Sequence, residues 1–327
     1  MTGPDGIDHI EEFHGLPVLT LPRDETPAPE TLPEPDAVAW RLDCGWDEEW
    51  PFARMWRRFT DVVDTERVRA LVIGPWWCGE YSELKPVLEL IVADAARFPA
   101  LRALFLADVV GEECEVSWLR INDITPAIEA FPLLEEFGVR GCGDTYRDGD
   151  LRLRPVKHDR LRVLRFESGG LPGAVVRAVG ASELPALEHL ELWLGVDEYG
   201  GNATVADLAP LLDGGRLPRL RHLGLQNSEI QDEIAGAVAS APVVAGLRSL
   251  DLSMGVLTDA GAEALLAGQP LTHLKELNLN HHFVSKPWTG RIEDALGPHG
   301  VRLGLGSAMD YSGGTDEDEW RYVAVSE

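Results

Sequence analysis

The sequence predicts an α/β solenoid in which a parallel sheet lines the concave side and helices cover the convex side. Three observations support this fold class: eight copies of a short leucine motif, intervals of 26, 27 or 33 residues between them, and amphipathic helical stretches in those intervals. Strands that recur with a helix between them run parallel to one another. Because one strand cannot bury its apolar face alone, successive units are expected to stack into one core.

The motif has the form L-x-x-L-x-L, in which other apolar residues replace some leucines. Its copies begin at residues 68, 101, 134, 161, 187, 220, 247 and 274, and weaker copies lie at Trp40/Leu42 and Leu303/Leu305. The alternation in the last half of each copy is typical of a short strand with one buried face. The unbroken phase predicts a repeat domain of about ten units over residues 37–309.

Helices are expected between the strands. After Pro51, a favourable first helical residue, Phe52, Met55, Trp56 and Phe59 follow at helical spacing. Prolines placed two residues before the motif end the helix and turn the chain into the next strand. They are Pro99, Pro132, Pro185 and Pro218.

The two ends are expected to differ from the repeats, because an uncovered repeat edge promotes aggregation. Residues 1–36 are predicted to supply a capping strand, Leu16–Leu21, and a proline-rich linker. Residues 310–327 form an acidic tail in which Trp320–Val325 alternates like an edge strand. This tail is interpreted as a second cap or as a recognition segment.

The repeat resembles the leucine-rich repeat, and its unit length and full helices are similar to the ribonuclease-inhibitor-like subclass. The asparagine or cysteine that this subclass carries three residues after the last strand leucine is mostly replaced, as at Ser228, Gly255 and His282. The layout also resembles a bacterial leucine-rich-repeat family of unassigned role. That resemblance implies genes for radical enzymes and ligases as neighbours.

The amino-acid composition excludes some classes of binding partner. The 327 residues include 29 basic and 55 acidic side chains, so the net charge is −26. Nucleic acid and anionic membranes attract basic proteins, and both are therefore excluded as expected partners. No apolar stretch of 18 residues and no signal-peptide pattern is present, which predicts a cytoplasmic location with reduced cysteines. The excess of arginine over lysine, 25 against 4, is typical of a GC-rich bacterial genome.

No catalytic motif is found, and no cofactor or metal is expected. Glu167, His189 and His222 form the one candidate acid–base group. The four cysteines lie in loops at differing offsets from the strands, which favours buried structural thiols over a metal cluster.

The loops that leave the first strands are rich in aromatic and acidic residues. In a parallel stack they all emerge at the carboxyl edge of the sheet, where open α/β sheets bind ligands. The predicted binding residues there are Trp46, Trp50, Trp76, Trp77, Tyr81, Glu112, Glu113, Trp118, Asp144, Tyr146, Asp197 and Tyr199. The loops after Leu225 and Leu252 are short and plain. An alternative is that the tryptophans fill gaps under long loops.

The adjoining concave wall is predicted to contribute charged residues around an exposed Trp193. The residues are Arg140, Arg165, Glu167, His189 and Trp193. Any concave face must carry some side chains, so a purely solvating role is the alternative.

These features predict a non-catalytic scaffold for a protein or peptide, because aromatic rings beside carboxylates bind Lys and Arg. The alternative, which rests on the family resemblance, is an accessory subunit that holds the substrate of a peptide- or natural-product-modifying enzyme. An enzyme in its own right is the third hypothesis.

Overall fold

The computed structural model describes residues 7–23, 32–45, 50–78, 81–143, 150–306, 308 and 321–327. Within them, twelve strands form one sheet in chain order. Only the first pair is antiparallel, and every later pair is parallel, which confirms the predicted solenoid. The strands are β1 (Glu12–Phe13), β2 (Leu16–Thr20), β3 (Ala39–Leu42), β4 (Ala70–Ile73), β5 (Ala103–Leu106), β6 (Glu136–Arg140), β7 (Val163–Glu167), β8 (His189–Gly195), β9 (His222–Ser228), β10 (Ser249–Asp251), β11 (Glu276–Asn278) and β12 (Arg302–Gly304).

Helices connect successive strands from β3 onward, and between β6 and β7 the described residues contain none. Helices that follow one another along the chain contact each other over most of the row. The helices are α1 (Phe52–Val62), α2 (Lys85–Ala93), α3 (Thr125–Glu129), α4 (Gly173–Ala181), α5 (Val205–Leu212), α6 (Gln231–Val238), α7 (Asp259–Ala267) and α8 (Lys286–Leu296). No helix of the described residues is long and apolar enough to cross a membrane.

Equivalent positions of the leucine motif are paired across the sheet. Leu164 pairs with Leu190, Leu190 with Leu223, Leu223 with Leu250 and Leu250 with Leu277, and all are buried. Each strand therefore places its motif leucine directly beside that of the next. The result is one continuous core between sheet and helices, as the motif spacing predicts.

A second, smaller core lies on the concave face. Its floor is the small apolar side chains of β3, β4 and β5 together with Phe105. The chain before β2 turns back over this floor, and Phe13 packs edge-on against Phe105 with ring centroids 5.9 Å apart. We call residues 7–14 the N-terminal strap. The turn at its end uses positive φ angles at His14 and Gly15, as a tight hairpin requires.

Residues 321–327, which we call the C-terminal segment, cross the carboxyl ends of the strands. The segment forms no strand, so the edge-strand prediction is wrong for its described part, and Trp320 lies outside the described residues. Its polar backbone atoms are bonded elsewhere: Ala324 N donates to Met254 O at 2.8 Å, and Val325 bonds the Asn227 side chain. Asn227 and Met254 lie at the carboxyl ends of their strands, so the segment crosses the strands and does not pair with one of them.

Candidate functional site

The concave face is divided into a covered part and an open part. The N-terminal strap covers β3 to β5, whereas the polar side chains of β7 to β10 face a cavity of about 580 Å³. The cavity is lined on one side by His14 of the strap and on the other by residues such as Arg165, His189 and His222. Of the concave face, the part formed by β7 to β10 is therefore accessible to a ligand.

A buried ion network fastens the strap. Asp108 lies between Arg41, whose Nε donates at 2.8 Å, and Arg140, whose Nη1 donates at 3.1 Å. Asp108 also accepts from Ile10 N at 3.1 Å and is paired with the His9 ring. Burial would raise the pKa of Asp108, but His9 and the two arginines hold it below its usual value. The carboxylate is thus charged and fully partnered.

Arg140 was expected to line a binding surface, but it is only 3% exposed. Its Nη2 donates to Asp8 O at 2.7 Å and its Nε donates to Glu167 Oε2 at 2.6 Å. Arg140 therefore holds the strap in place, because the acceptor of this hydrogen bond, Asp8 O, belongs to the strap backbone. Glu167, predicted at the same surface, is the second carboxylate that pairs with this arginine, after Asp108.

The open part of the face carries a compact group of His189, Glu191 and His222. Glu191 Oε1 lies 2.7 Å from His189 Nε2 and 3.3 Å from His222 Nε2, and the two imidazole rings stack 4.0 Å apart. Arg165 approaches the other Glu191 oxygen at 3.5 Å. Burial would raise the pKa of Glu191, but the two imidazoles and Arg165 hold it far below its usual range. Burial lowers the pKa of His189.

Glu191 was not among the predicted site residues. It follows His189 by two positions and therefore shares its face of β8, a signal that the alternation of the strand contains. The sequence predicts an exposed Trp193 on the same face of this strand. Trp193 is instead 4% exposed and belongs to the main core.

Several of the predicted aromatic anchors are covered by the protein itself. Trp76 and Trp77 pack in the core, and Trp76 Nε1 donates to Ser82 O at 2.9 Å. Trp50 packs partly against the core, with the Arg54 guanidinium 4.1 Å above its ring. These three fill space beneath the loops, which is the alternative that the sequence left open. Trp46, Asp144 and Tyr146 lie outside the described residues.

Two aromatic residues of the loop edge are exposed and adjacent. Trp118 is 52% exposed and Tyr81 is 40% exposed, and their rings meet edge-on at 6.0 Å. The Tyr81 hydroxyl donates to Glu113 O at 3.3 Å, and the neighbouring Glu112 is exposed. Loops from two successive units therefore form one aromatic and acidic surface, although the sequence separates them by over thirty residues.

The C-terminal segment lies in a groove along the strand ends of the later units. Asn227 Oδ1 accepts from Val325 N at 2.9 Å, and Asn227 Nδ2 donates to Val325 O at 2.6 Å. Val323 and Val325 are buried, whereas Tyr322 and Ala324 face outward. The loops after Leu225 and Leu252, which looked plain, hold this segment through Asn227 and Met254. No sequence pattern had marked either residue.

At the end of the groove, the backbone of the C-terminal segment passes very close to the backbone of the loop after β7. A Cβ at Gly169 would come 2.1 Å from Ser326 O, so only glycine admits the segment there. The Tyr199 hydroxyl donates to Glu327 Oε1, while Asp197 of the same loop is exposed. Tyr199, one of the predicted binding residues, therefore contacts the protein's own C-terminal segment.

A cavity of about 900 Å³ continues beyond the segment towards the strap. Its walls come from the strap, from the loop after β5 and from the last residues of the segment. Apolar Ile7, Val109 and Val116 contribute beside acidic Asp8 and Glu112. This cavity joins the groove to the neighbourhood of Trp118.

The cysteines are all free, and three of them are buried. Burial raises the pKa of Cys44 to about 12 and that of Cys142 to about 11. Both remain protonated thiols near neutral pH, as expected for structural cysteines.

Stacked strand–helix units, leucines in register and a concave parallel sheet define a leucine-rich repeat solenoid. No protein-family model matches the sequence, and no curated protein matches it either. Among solved structures, the chain is similar to a Bacteroides fragilis protein determined as a structural-genomics target. The two are 29% identical over 76% of this chain and 68% of that one, with a TM-score of 0.69.

A second similar structure is TLR13 in its complex with single-stranded RNA. The identity is 15%, the match covers 77% of this chain and 37% of that one, and the TM-score is 0.31.

Proposed function

We propose that the chain is a non-catalytic scaffold that binds an extended protein or peptide segment along the carboxyl ends of its strands. A leucine-rich repeat fold suggests a binding scaffold in general. The observation that carries the proposal is that residues 321–327 already lie in this groove and bond it through their backbone. A partner segment would replace them there.

The groove contacts the backbone of the bound segment more than its side chains. Asn227 bonds both the N–H and the C=O of one residue, which any amino acid but proline offers. Alternate side chains, Val323 and Val325, are buried in sockets of the groove while the intervening ones face outward. Backbone bonding gives affinity and the sockets give selectivity in this mode of peptide recognition.

The partner segment is proposed to carry basic residues beyond the part that Asn227 holds. The cavity at the end of the groove presents Asp8 and Glu112, and the whole chain has a net charge of −26. The exposed rings of Trp118 and Tyr81 stand beside this acidic surface. Carboxylates and aromatic faces together attract Lys and Arg by ion pairing and cation–π contact.

A narrower form of the proposal follows from the family resemblance. In it, the repeats are of the ribonuclease-inhibitor-like subclass, and the chain is a cytoplasmic bacterial subunit that presents a peptide or natural-product precursor to a modifying enzyme. Co-purification with an enzyme encoded by a neighbouring gene, dependent on a bound precursor, would support it. Retention of the precursor without that enzyme would favour the plain scaffold.

The test uses fluorescent peptides with the sequence of residues 321–327, extended by two lysines or by two glutamates. A chain lacking residues 321–327 should bind both, and the lysine form about tenfold more tightly at low salt, a difference that shrinks at high salt. The full chain should bind both weakly. A folded, shortened chain that binds neither peptide would overturn the groove proposal, and equal binding of the two would overturn its basic part.

A further inference from the structure

We propose that His189, Glu191 and His222 form a binding site for a divalent first-row transition ion such as Zn²⁺ on the open part of the concave face. The proposal is independent of the peptide groove, since the ligands lie on the sheet face and the groove lies at the strand ends. The chain offers the two imidazoles and one carboxylate that such ions accept.

The sheet brings the three side chains together by register alone. His189 and His222 are direct partners on the parallel strands β8 and β9, and Glu191 lies two residues after His189 on the same face. Their ligand atoms all lie within 4.8 Å of one another. Around a tetrahedral ion with bonds of about 2.0–2.2 Å, ligand atoms are roughly 3.3–3.6 Å apart. Glu191 Oε1 already lies 2.7 Å from His189 Nε2 and 3.3 Å from His222 Nε2. Because the two rings are stacked with only 13° between their planes, at least one imidazole must rotate for both nitrogens to point at one ion.

The neighbouring residues hold the ligands in place. His222 Nδ1 shares a hydrogen bond of 2.8 Å with Ser249 Oγ, which leaves Nε2 to face Glu191. In the tautomer that suits a metal ligand, Nδ1 carries the proton and donates to Ser249 Oγ, and the lone pair of Nε2 faces Glu191. Such an outer hydrogen bond on the second ring nitrogen is usual for metal-binding histidines.

The space around Glu191 is kept free by a glycine. Gly224 is its register partner on β9, and a Cβ there would lie 3.1 Å from Glu191 Cγ and 2.6 Å from Gln226 Oε1. A larger residue would push the carboxylate out of its position between the imidazoles. The backbone at this point therefore suits the ligand geometry.

The site is open on one side. All three ligand side chains are between 18% and 26% exposed, and the two histidines line the cavity of about 580 Å³. Three protein ligands leave at least one coordination position free in a tetrahedral site. That position faces the cavity, so a small ligand with an oxygen or nitrogen donor can complete the shell.

The experiment titrates the full chain, purified without an affinity tag, with Zn²⁺ by calorimetry and with Co²⁺ by visible absorption. One ion per chain should bind, with a Co²⁺ d–d band typical of a four- or five-coordinate site and a raised Tm. His222→Ala should abolish all three signals, and Ser249→Ala should weaken binding about tenfold. A hundredfold excess of Mg²⁺ or Ca²⁺ should not compete, because these ions prefer oxygen ligands.

Glu191→Gln keeps the shape of the side chain and decides the matter should His222→Ala fail to fold. It should weaken Zn²⁺ binding at least tenfold and remove the Co²⁺ band. His299→Ala, on an exposed residue away from the sheet face, is the matched control and should bind like the unaltered chain. The proposal is overturned if the unaltered chain binds no Zn²⁺, if Glu191→Gln binds it as tightly, or if His299→Ala loses it.

Discussion

The side-chain amide of Asn227 bonds both backbone polar groups of Val325, 98 residues further along the chain. Asn227 itself has a positive φ of 57°, a conformation that asparagine tolerates better than most residues. One residue thus combines an unusual backbone conformation at a strand end with the hold on a distant segment.

Replacing Asn227 by glycine should release the C-terminal segment. Glycine accepts the positive φ without strain, so the change isolates the lost hydrogen bonds. The change removes the two bonds to Val325 and a third bond, from Asn227 Nδ2 to Ser168 O at 3.1 Å. At about 1 kcal/mol for each bond, we expect the free energy of unfolding to fall by about 3 kcal/mol. Hydrogen exchange at residues 322–326 should become fast. Asn280→Ala, at an exposed position nearby, should leave that exchange unchanged.

Replacing Asp108 by asparagine should loosen the N-terminal strap and destabilise the fold. The substitution keeps the shape but leaves Arg41 and Arg140 buried without their shared charge partner. Removal of one member of such a network costs about 3–5 kcal/mol, measurable by urea unfolding. Glu183→Gln breaks the exposed pair with Lys157 and should have a far smaller effect, because solvent screens that pair. Equal effects would contradict the network.

The strap should also respond to pH through His9. The hydrogen bond to Asp108 is the main cause that raises the His9 pKa; burial and Arg41 oppose it, and Glu113 supports it. A group with a raised folded pKa stabilises fully below its unfolded value of about 6.5, and that stabilisation is lost as pH rises through the folded pKa.

Hydrogen exchange in residues 7–14 should therefore be faster at pH 8.5 than at pH 6 after correction for intrinsic rates. His9 is 40% exposed, so solvent screens the interaction and the effect should stay below about 1 kcal/mol. His9→Gln should remove the difference. A strap whose corrected exchange is the same at both pH values in the unaltered chain would rule this out.

Two tryptophan substitutions should separate binding from packing. Trp118→Ala removes an exposed ring, so stability should change by less than about 0.5 kcal/mol, while the lysine-extended peptide should bind about tenfold more weakly to the chain shortened by residues 321–327. Trp77→Ala removes a buried ring and should cost about 3–5 kcal/mol in stability. Thermal unfolding and peptide titration measure the two effects. If Trp118→Ala binds the peptide unchanged, the exposed aromatic pair is no part of the site.

The sequence by itself determined the architecture. The leucine motif recurs eight times at intervals of 26, 27 or 33 residues, and each copy carries its own strand alternation. The register and buried positions such as Leu190, Leu223 and Leu250 could therefore be predicted. Repetition makes the predicted register reliable, because every unit packs against its neighbours in the same way. His189 and His222 were likewise placed side by side by the motif alone.

Only the tertiary structure decided which surfaces remain available. The strap lacks periodicity, and the alternation of the C-terminal segment does not identify what it contacts. The contacts of the two segments join residues as distant as Asp8 and Arg140 or Asn227 and Val325. Such contacts depend on the curvature and side-chain fit of the finished solenoid, which no local pattern encodes. For the same reason Trp76 and Trp77 could not be distinguished from Trp118 by sequence: all three stand in acidic loops, but only the folded chain shows which rings the loops cover.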